Sequence, residues 1–172
     1  MQKMVKIDLN LKRTVLDLMF GGEKLAYCFQ CGKCNDVCPI SQRWGSRYNP
    51  RDLVLFSALG YAEGLIKAVK RDPFVLWGCT TCDTCDESCP ADIPITEIIN
   101  LLKNISVSLG ISPPFYPEST KVIYDNGMAI PVQDAIVKRR EKLGLSAAPT
   151  IPVEEVKTIM EATKITQLMK KE

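Results

Sequence analysis

Eight cysteines stand in two runs that share one spacing. The first is Cys28-Phe29-Gln30-Cys31-Gly32-Lys33-Cys34-Asn35-Asp36-Val37-Cys38-Pro39. The second is Cys79-Thr80-Thr81-Cys82-Asp83-Thr84-Cys85-Asp86-Glu87-Ser88-Cys89-Pro90. Each reads C-x2-C-x2-C-x3-C-P, the two are offset by 51 residues, and no cysteine lies outside them. Little else is repeated, so the chain carries two copies of one site rather than two copies of one domain.

The spacing suits a cubane of iron and sulfide. Three thiolates placed three residues apart let a short loop wrap three iron corners, and its backbone N–H groups stabilise the negative charge of the cluster. The fourth cysteine leaves in another direction, with the next residue, proline, restricting the backbone. In two-cluster ferredoxins that fourth cysteine ligates the other cluster. The expected ligands are therefore Cys28, Cys31, Cys34 and Cys89 for cluster I, and Cys79, Cys82, Cys85 and Cys38 for cluster II. Two [4Fe–4S] clusters held this way also staple the two halves of the chain together.

Zinc and disulfides are the competing readings. Zinc ribbons use two separated C-x2-C pairs and need neither a third cysteine at the same interval nor a fourth before proline. The chain has no histidine, which excludes a mixed cysteine–histidine zinc site, a Rieske centre and an imidazole proton shuttle. The N-terminal Met1–Lys6 segment has no apolar core or small-residue cleavage site and reads as no signal peptide. A cytoplasmic location is expected, where thiols serve as metal ligands rather than disulfides. The longest mostly apolar stretch, Leu53 to Ile66, is broken by Glu63 and two glycines, so no membrane span is expected. A formal net charge of +2 gives no general attraction to nucleic acid or anionic membrane.

The rest of the chain reads as helices. A first helix is expected from Asn10 to Phe20, ended by Gly21-Gly22. Between the runs, Asn49 caps a helix that has Pro50 at its first position, Leu53, Phe56 and Leu59 at helical spacing, and Gly60 as its stop. A second helix, Ala62 to Lys70, carries Leu65, Ile66 and Val69, and Asp72-Pro73 starts a short turn with Phe74 and Trp77. After the second run, Ile95, Ile98, Ile99, Leu102, Ile105 and Leu109 form an apolar stripe on a helix of about four turns. No run of alternating strand pattern is found. The expected fold is mainly α, with a two-cluster domain over 1–110 and an extended helical tail over 111–172. In that tail Ser112 to Pro117 reads as a stiff linker. It is followed by a short helix (Glu118 to Tyr124), a turn at Asp125-Asn126-Gly127, a basic helix from Asp134 to Leu143, and a last helix after Pro149 and Pro152. That last helix can present Val153, Val156, Ile159, Met160 and Met169, while Lys138, Arg139, Arg140 and Lys142 read as a solvated face. A tail of this kind suits docking on a partner protein.

The paired cysteine runs on helices resemble the α-helical ferredoxin family of iron–sulfur subunits. Within it the chain is similar to the C subunits of the soluble heterodisulfide reductases of methanogenic archaea. Beyond the cysteines, Gly21-Gly22-Glu23, Tyr27 to Gly32, Asn49-Pro50-Arg51, Asp125 to Ile130 and Arg140 to Leu145 carry the likeness. It implies a subunit without a substrate site, relaying electrons from a flavin and iron–sulfur subunit. The recipient would be a subunit with C-C-G cysteine motifs that reduces the mixed disulfide of coenzyme M and coenzyme B. A hydrogenase or formate dehydrogenase in a larger assembly is also implied. The chain has no C-C-G motif and no flavin fingerprint, so neither the disulfide chemistry nor the flavin belongs to it. The alternatives are an iron–sulfur subunit of a membrane-anchored dehydrogenase or fumarate reductase type complex, and a free two-cluster ferredoxin. Counting charges within the runs, Asp83, Asp86 and Glu87 against Lys33 and Asp36, leads to an expectation of a lower potential for cluster II.

Overall fold

The computed structural model describes residues 8–18, 20–147 and 151–168. The leader reading of Met1–Lys6, and the positions of Met19, Pro149 and Met169 in their expected elements, lie outside these residues. All regular structure among the described residues is helical. The chain divides into two compact units, Met1–Ser112 and Pro113–Glu172.

The first unit is built from α1 (Leu9–Leu16), α2 (Lys33–Asp36), α3 (Pro39–Trp44), α4 (Pro50–Leu59), α5 (Ala62–Arg71), α6 (Phe74–Trp77), α7 (Thr84–Glu87) and α8 (Ile95–Ser108). Local chemistry accounts for several of the boundaries. The side chain of Asn49 accepts a hydrogen bond from the Asp52 N–H at 3.3 Å, Pro50 opens α4, and Gly60 closes it in the left-handed conformation. Leu53 and Val54 of α4 share one core with Val15, Leu65, Val69, Leu76, Ile98, Ile99 and Leu102. Each such side chain contributes roughly 1.5–3 kcal/mol by leaving water. The stripe of α8 is buried at Ile95, Ile98, Ile99 and Leu102, but Leu109 is 52% exposed just past the end of the helix.

The first helix ends at Leu16, not at Phe20. The chain turns back so that Gly22 lies against the end of that helix. A Cβ on Gly22 would stand 2.1 Å from the Val15 carbonyl oxygen and 2.8 Å from the Leu18 Cβ. A 3-10 segment, Gly22–Tyr27, then feeds the first cysteine run and buries Leu25. Between the runs an aromatic cluster fixes the connection. Phe74 meets Trp44 and Tyr48 edge to face at 5.6 and 6.3 Å, and the Arg47 guanidinium lies over the Phe74 ring at 4.6 Å. Arg47 also donates to both carboxylate oxygens of Asp72, at 2.6 and 3.1 Å, and Asp72 accepts the Phe74 N–H at 3.1 Å.

The second unit contains α9 (Phe115–Asn126), α10 (Asp134–Lys142), α11 (Val153–Ala162) and the short α12 (Ile165–Leu168). Helix α9 begins inside the expected linker. Pro117 falls in its first turn, where a missing N–H leaves no bond unmade. Asp125 and Asn126 are its last residues, and Gly127 is its left-handed cap rather than part of a free turn. Helices α9 and α11 pack together: Tyr124 donates to Glu161 at 2.8 Å, and Met160 is buried. Helix α10 buries nothing, for Ile136, Val137 and the following Leu143 and Leu145 are all exposed. Of its basic residues Arg140 closes its own helix end, donating to the Ser146 carbonyl at 2.8 and 3.1 Å, while Lys138, Arg139 and Lys142 are exposed.

Two outcomes follow from this packing. Gly22→Ala forces a backbone contact apart and is expected to cost about 1–3 kcal/mol, read as a lower urea midpoint. The hydrogen bond from Arg47 holds the Asp72 carboxyl below its usual range. Its stabilisation is therefore complete above the ordinary aspartate value, about 4, and is lost as pH falls through the lowered folded value. Asp72→Asn should weaken the fold at neutral pH, and unfolding curves of variant and parent should converge in acid.

Candidate metal centre

The two cysteine runs do not each close on themselves. One cavity is lined by Cys28, Cys31 and Cys34 from the first run and Cys89 from the second. The other is lined by Cys79, Cys82 and Cys85 from the second run and Cys38 from the first. The cavities are nearly equal in size, about 310 and 320 Å³ with their open mouths included. None of the eight cysteines is paired in a disulfide. Helices α2 and α7, one turn each, carry the third cysteine of each run into its cavity, and the chain then enters a proline. Among the described residues no group of three or more metal-ligating side chains is gathered for a single ion. The thiols ring cavities instead, which fits a polynuclear cluster better than tetrahedral zinc, whose thiolates all stand about 2.3 Å from one ion.

The loops repeat in backbone as well as in sequence. In the first, Gln30 and Gly32 on either side of Cys31 have φ of 59° and 84°; in the second, Thr81 and Asp83 on either side of Cys82 have φ of 53° and 58°. Left-handed residues so placed turn successive N–H groups toward one concavity, the geometry of an anion nest. For Thr81, a β-branched residue, the conformation is a genuine outlier, costing roughly 1–2 kcal/mol. Such strain persists where the surroundings over-determine it.

The thiols differ in environment. Cys31 and Cys82 are exposed, Cys38 and Cys85 are buried, and the other four are intermediate. Burial pushes the Cys34 thiol up to about 11, with the Asn35 N–H opposing and the charges of Cys28, Cys31 and Cys89 adding. Burial likewise pushes Cys85 up to about 12, with Thr96 opposing and Asp86 adding. The Thr84 hydroxyl holds Cys82 below the usual thiol range. Buried thiols of this kind become thiolates when a metal displaces their protons, so loading releases protons.

Around the cavities stand residues the cysteine spacing does not announce. At the first, Gln30 donates to the Cys28 sulfur at 3.3 Å and accepts from Arg51 at 3.2 Å. At the second, the Thr81 N–H donates to the Cys79 sulfur at 3.4 Å, and the Thr84 hydroxyl lies 3.4 Å from Cys82. Tyr48 is 1% exposed and lines this cavity. Burial first, then the neighbouring Cys79, drives its phenol well above the ordinary range, so it stays protonated. From α8, Thr96 bonds the Asp86 carboxylate through its N–H at 2.9 Å and its hydroxyl at 3.1 Å. Two turns on, Lys103 donates to the Cys79 carbonyl at 2.9 Å. The one signal for Lys103 in the sequence is a charge set four residues beyond Ile99, on the buried side of its helix.

Fold and site together define a two-cluster iron–sulfur protein. Residues 24–93 match the 4Fe-4S dicluster domain, and the chain carries two [4Fe–4S] clusters. The similarity continues past that segment. The chain is 32% identical over 155 residues to the C subunit of the H2:CoB–CoM heterodisulfide,ferredoxin reductase of Methanothermobacter thermautotrophicus, covering 87% of this chain and 80% of the relative. It is 36% identical over 148 residues to the iron–sulfur C 2 subunit of the CoB–CoM heterodisulfide reductase of Methanocaldococcus jannaschii (83% and 75%). With the C subunit of the ferredoxin/F420H2-dependent CoB–CoM heterodisulfide reductase of Methanosarcina acetivorans it shares 33% over 156 residues (87% and 92%). The chain belongs to the family of heterodisulfide reductase C subunits. No helix among the described residues is long and apolar enough to cross a membrane.

Proposed function

We propose that the chain relays single electrons within a cytoplasmic complex that reduces the mixed disulfide of coenzyme M and coenzyme B. Electrons come from a flavin-containing subunit and leave to a subunit with C-C-G cysteine motifs. Each [4Fe–4S] cluster supplies a one-electron redox centre. In this reading Cys28, Cys31, Cys34 and Cys89 hold cluster I, and Cys79, Cys82, Cys85 and Cys38 hold cluster II. The observation that carries it is the exchange of the fourth cysteine between runs, which lodges two cluster sites in one packed unit. A relay needs its centres close together and little rearrangement on reduction, and the shared core supplies a rigid frame for both. The second unit is the docking element: α10 and the segment after it expose Ile136, Val137, Leu143 and Leu145. The matched relatives extend through this region, beyond the dicluster segment. Their names cite different donors, H2 in one and ferredoxin or F420H2 in another, so C subunits of this family serve complexes fed by different sources of electrons.

Two experiments test the reading. In the reduced protein, Cys89→Ser should disturb the same paramagnetic signal as Cys31→Ser, and Cys38→Ser the same signal as Cys82→Ser; the opposite pairing would refute exchange of the fourth cysteine. Separately, anoxic purification should bring down a flavoprotein and a C-C-G protein with the full chain. A chain ending after Ser112 should keep its iron and lose those partners; partners retained on the shortened chain would remove the docking role of the second unit.

A further inference from the structure

The most informative residue outside the thiol set is Lys103. It is 9% exposed, and its ammonium group has two neighbours: the Cys79 carbonyl at 2.9 Å and the face of Trp77, 5.8 Å from the ring centroid. Among the described residues no carboxylate stands within ion-pair distance of it. A buried charge without a counter-ion is strongly unfavourable, and buried charges are ordinarily paired or held by a metal site. One carbonyl and one aromatic ring do not balance an ammonium charge. The remaining source of negative charge is the thiolate-bound cluster that begins at Cys79.

We propose that Lys103 is the counter-ion of cluster II and raises its reduction potential. The proposal rests on the reading that Cys79 ligates that cluster. On reduction the cluster gains one electron and one unit of negative charge. A fixed buried cation favours the reduced form, while the low dielectric around it prevents water from screening the effect. Among the described residues no buried cation serves the other cavity, whose cations, Lys33 and Arg51, are exposed and so weakened by solvent and salt. The acids of the second run act in the opposite direction, but with less leverage than their number suggests. Asp83 and Glu87 are exposed. Asp86, whose carboxylate oxygen stands 3.3 Å from the Cys85 sulfur, has that same oxygen held by two hydrogen bonds from Thr96. The expectation drawn from charges within the runs omits this buried charge, because it lies on α8.

The test is a redox titration of the full chain followed by electron paramagnetic resonance, with Cys31→Ser and Cys82→Ser marking which signal belongs to which cluster. Lys103→Gln keeps a donor for the Cys79 carbonyl and removes the charge. At a fixed potential it should reduce the ratio of reduced to oxidised cluster II about tenfold, a downward shift of about 59 mV for one electron, and leave cluster I unmoved. Lys103→Arg should restore most of the parental potential. If the glutamine variant loses iron, Lys103→Met and Lys103→Arg are compared in its place, and the methionine variant alone should shift. Full iron with the parental cluster II potential in the charge-free variant overturns the role of Lys103 while leaving the ligand assignment standing. If the two serine markers disturb one and the same signal, the ligand assignment fails and this proposal fails with it.

Discussion

Everything in the first unit is organised by an exchange of thiols. Each run gives three cysteines to one cavity and its last cysteine to the other. Neither cavity is complete without both runs, so the 40 residues between them must fold to a fixed length and direction. Helices α4, α5 and α6 do this by burying Leu53, Val54, Leu65, Val69 and Leu76 in the common core, and Arg47, Phe74 and Asp72 tie the two ends of the connection together. The core is small for this task, and under the proposed ligand assignment metal–thiolate bonds across the middle of the unit relieve it of part of the load.

The parts of the fold that were legible in the sequence are those decided by local chemistry. Asn49, Pro50 and Gly60 bound α4 because a cap, a fixed φ and a left-handed stop act within a turn of themselves. Ile95 to Leu102 announce α8 by period alone. The misplaced boundaries had other causes. Helix α1 stops short because Gly22 returns to lie on the Val15 carbonyl, a contact between residues brought together only by folding. Helix α9 starts early because Pro117, which suggests a break, is harmless in a first turn.

The site divides in the same way. The cluster chemistry is legible from spacing, because a cubane imposes its dimensions on a short loop, and the eight cysteines so spaced are the ones that line the two cavities. Tyr48, Thr96 and Lys103 do not follow from it. They lie outside both runs; folding brings Tyr48 and Thr96 to the lining of the second cavity and Lys103 to the backbone of Cys79, and no pattern of neighbours along the chain foretells it. Only Lys103 leaves a trace, as an ionisable residue on a buried helical face, a position that generally demands an electrostatic partner. The left-handed Gln30 and Thr81 are likewise invisible to residue-type preferences, since threonine and glutamine are poor choices for that conformation, whereas aspartate at 83 is a tolerated one.

The exchange of the last cysteine also ties the completion of either ring of thiols to the order in which the chain is made. A nascent chain that has emerged only through Pro39 offers three thiols to an incomplete site, and its fourth thiol has nowhere to go. Cys85 and Cys89 are translated within four residues of each other, so both sites become complete almost together, after more than half the chain has been synthesised. A polypeptide interrupted between the two runs therefore lacks a full ring of four thiols around either cavity.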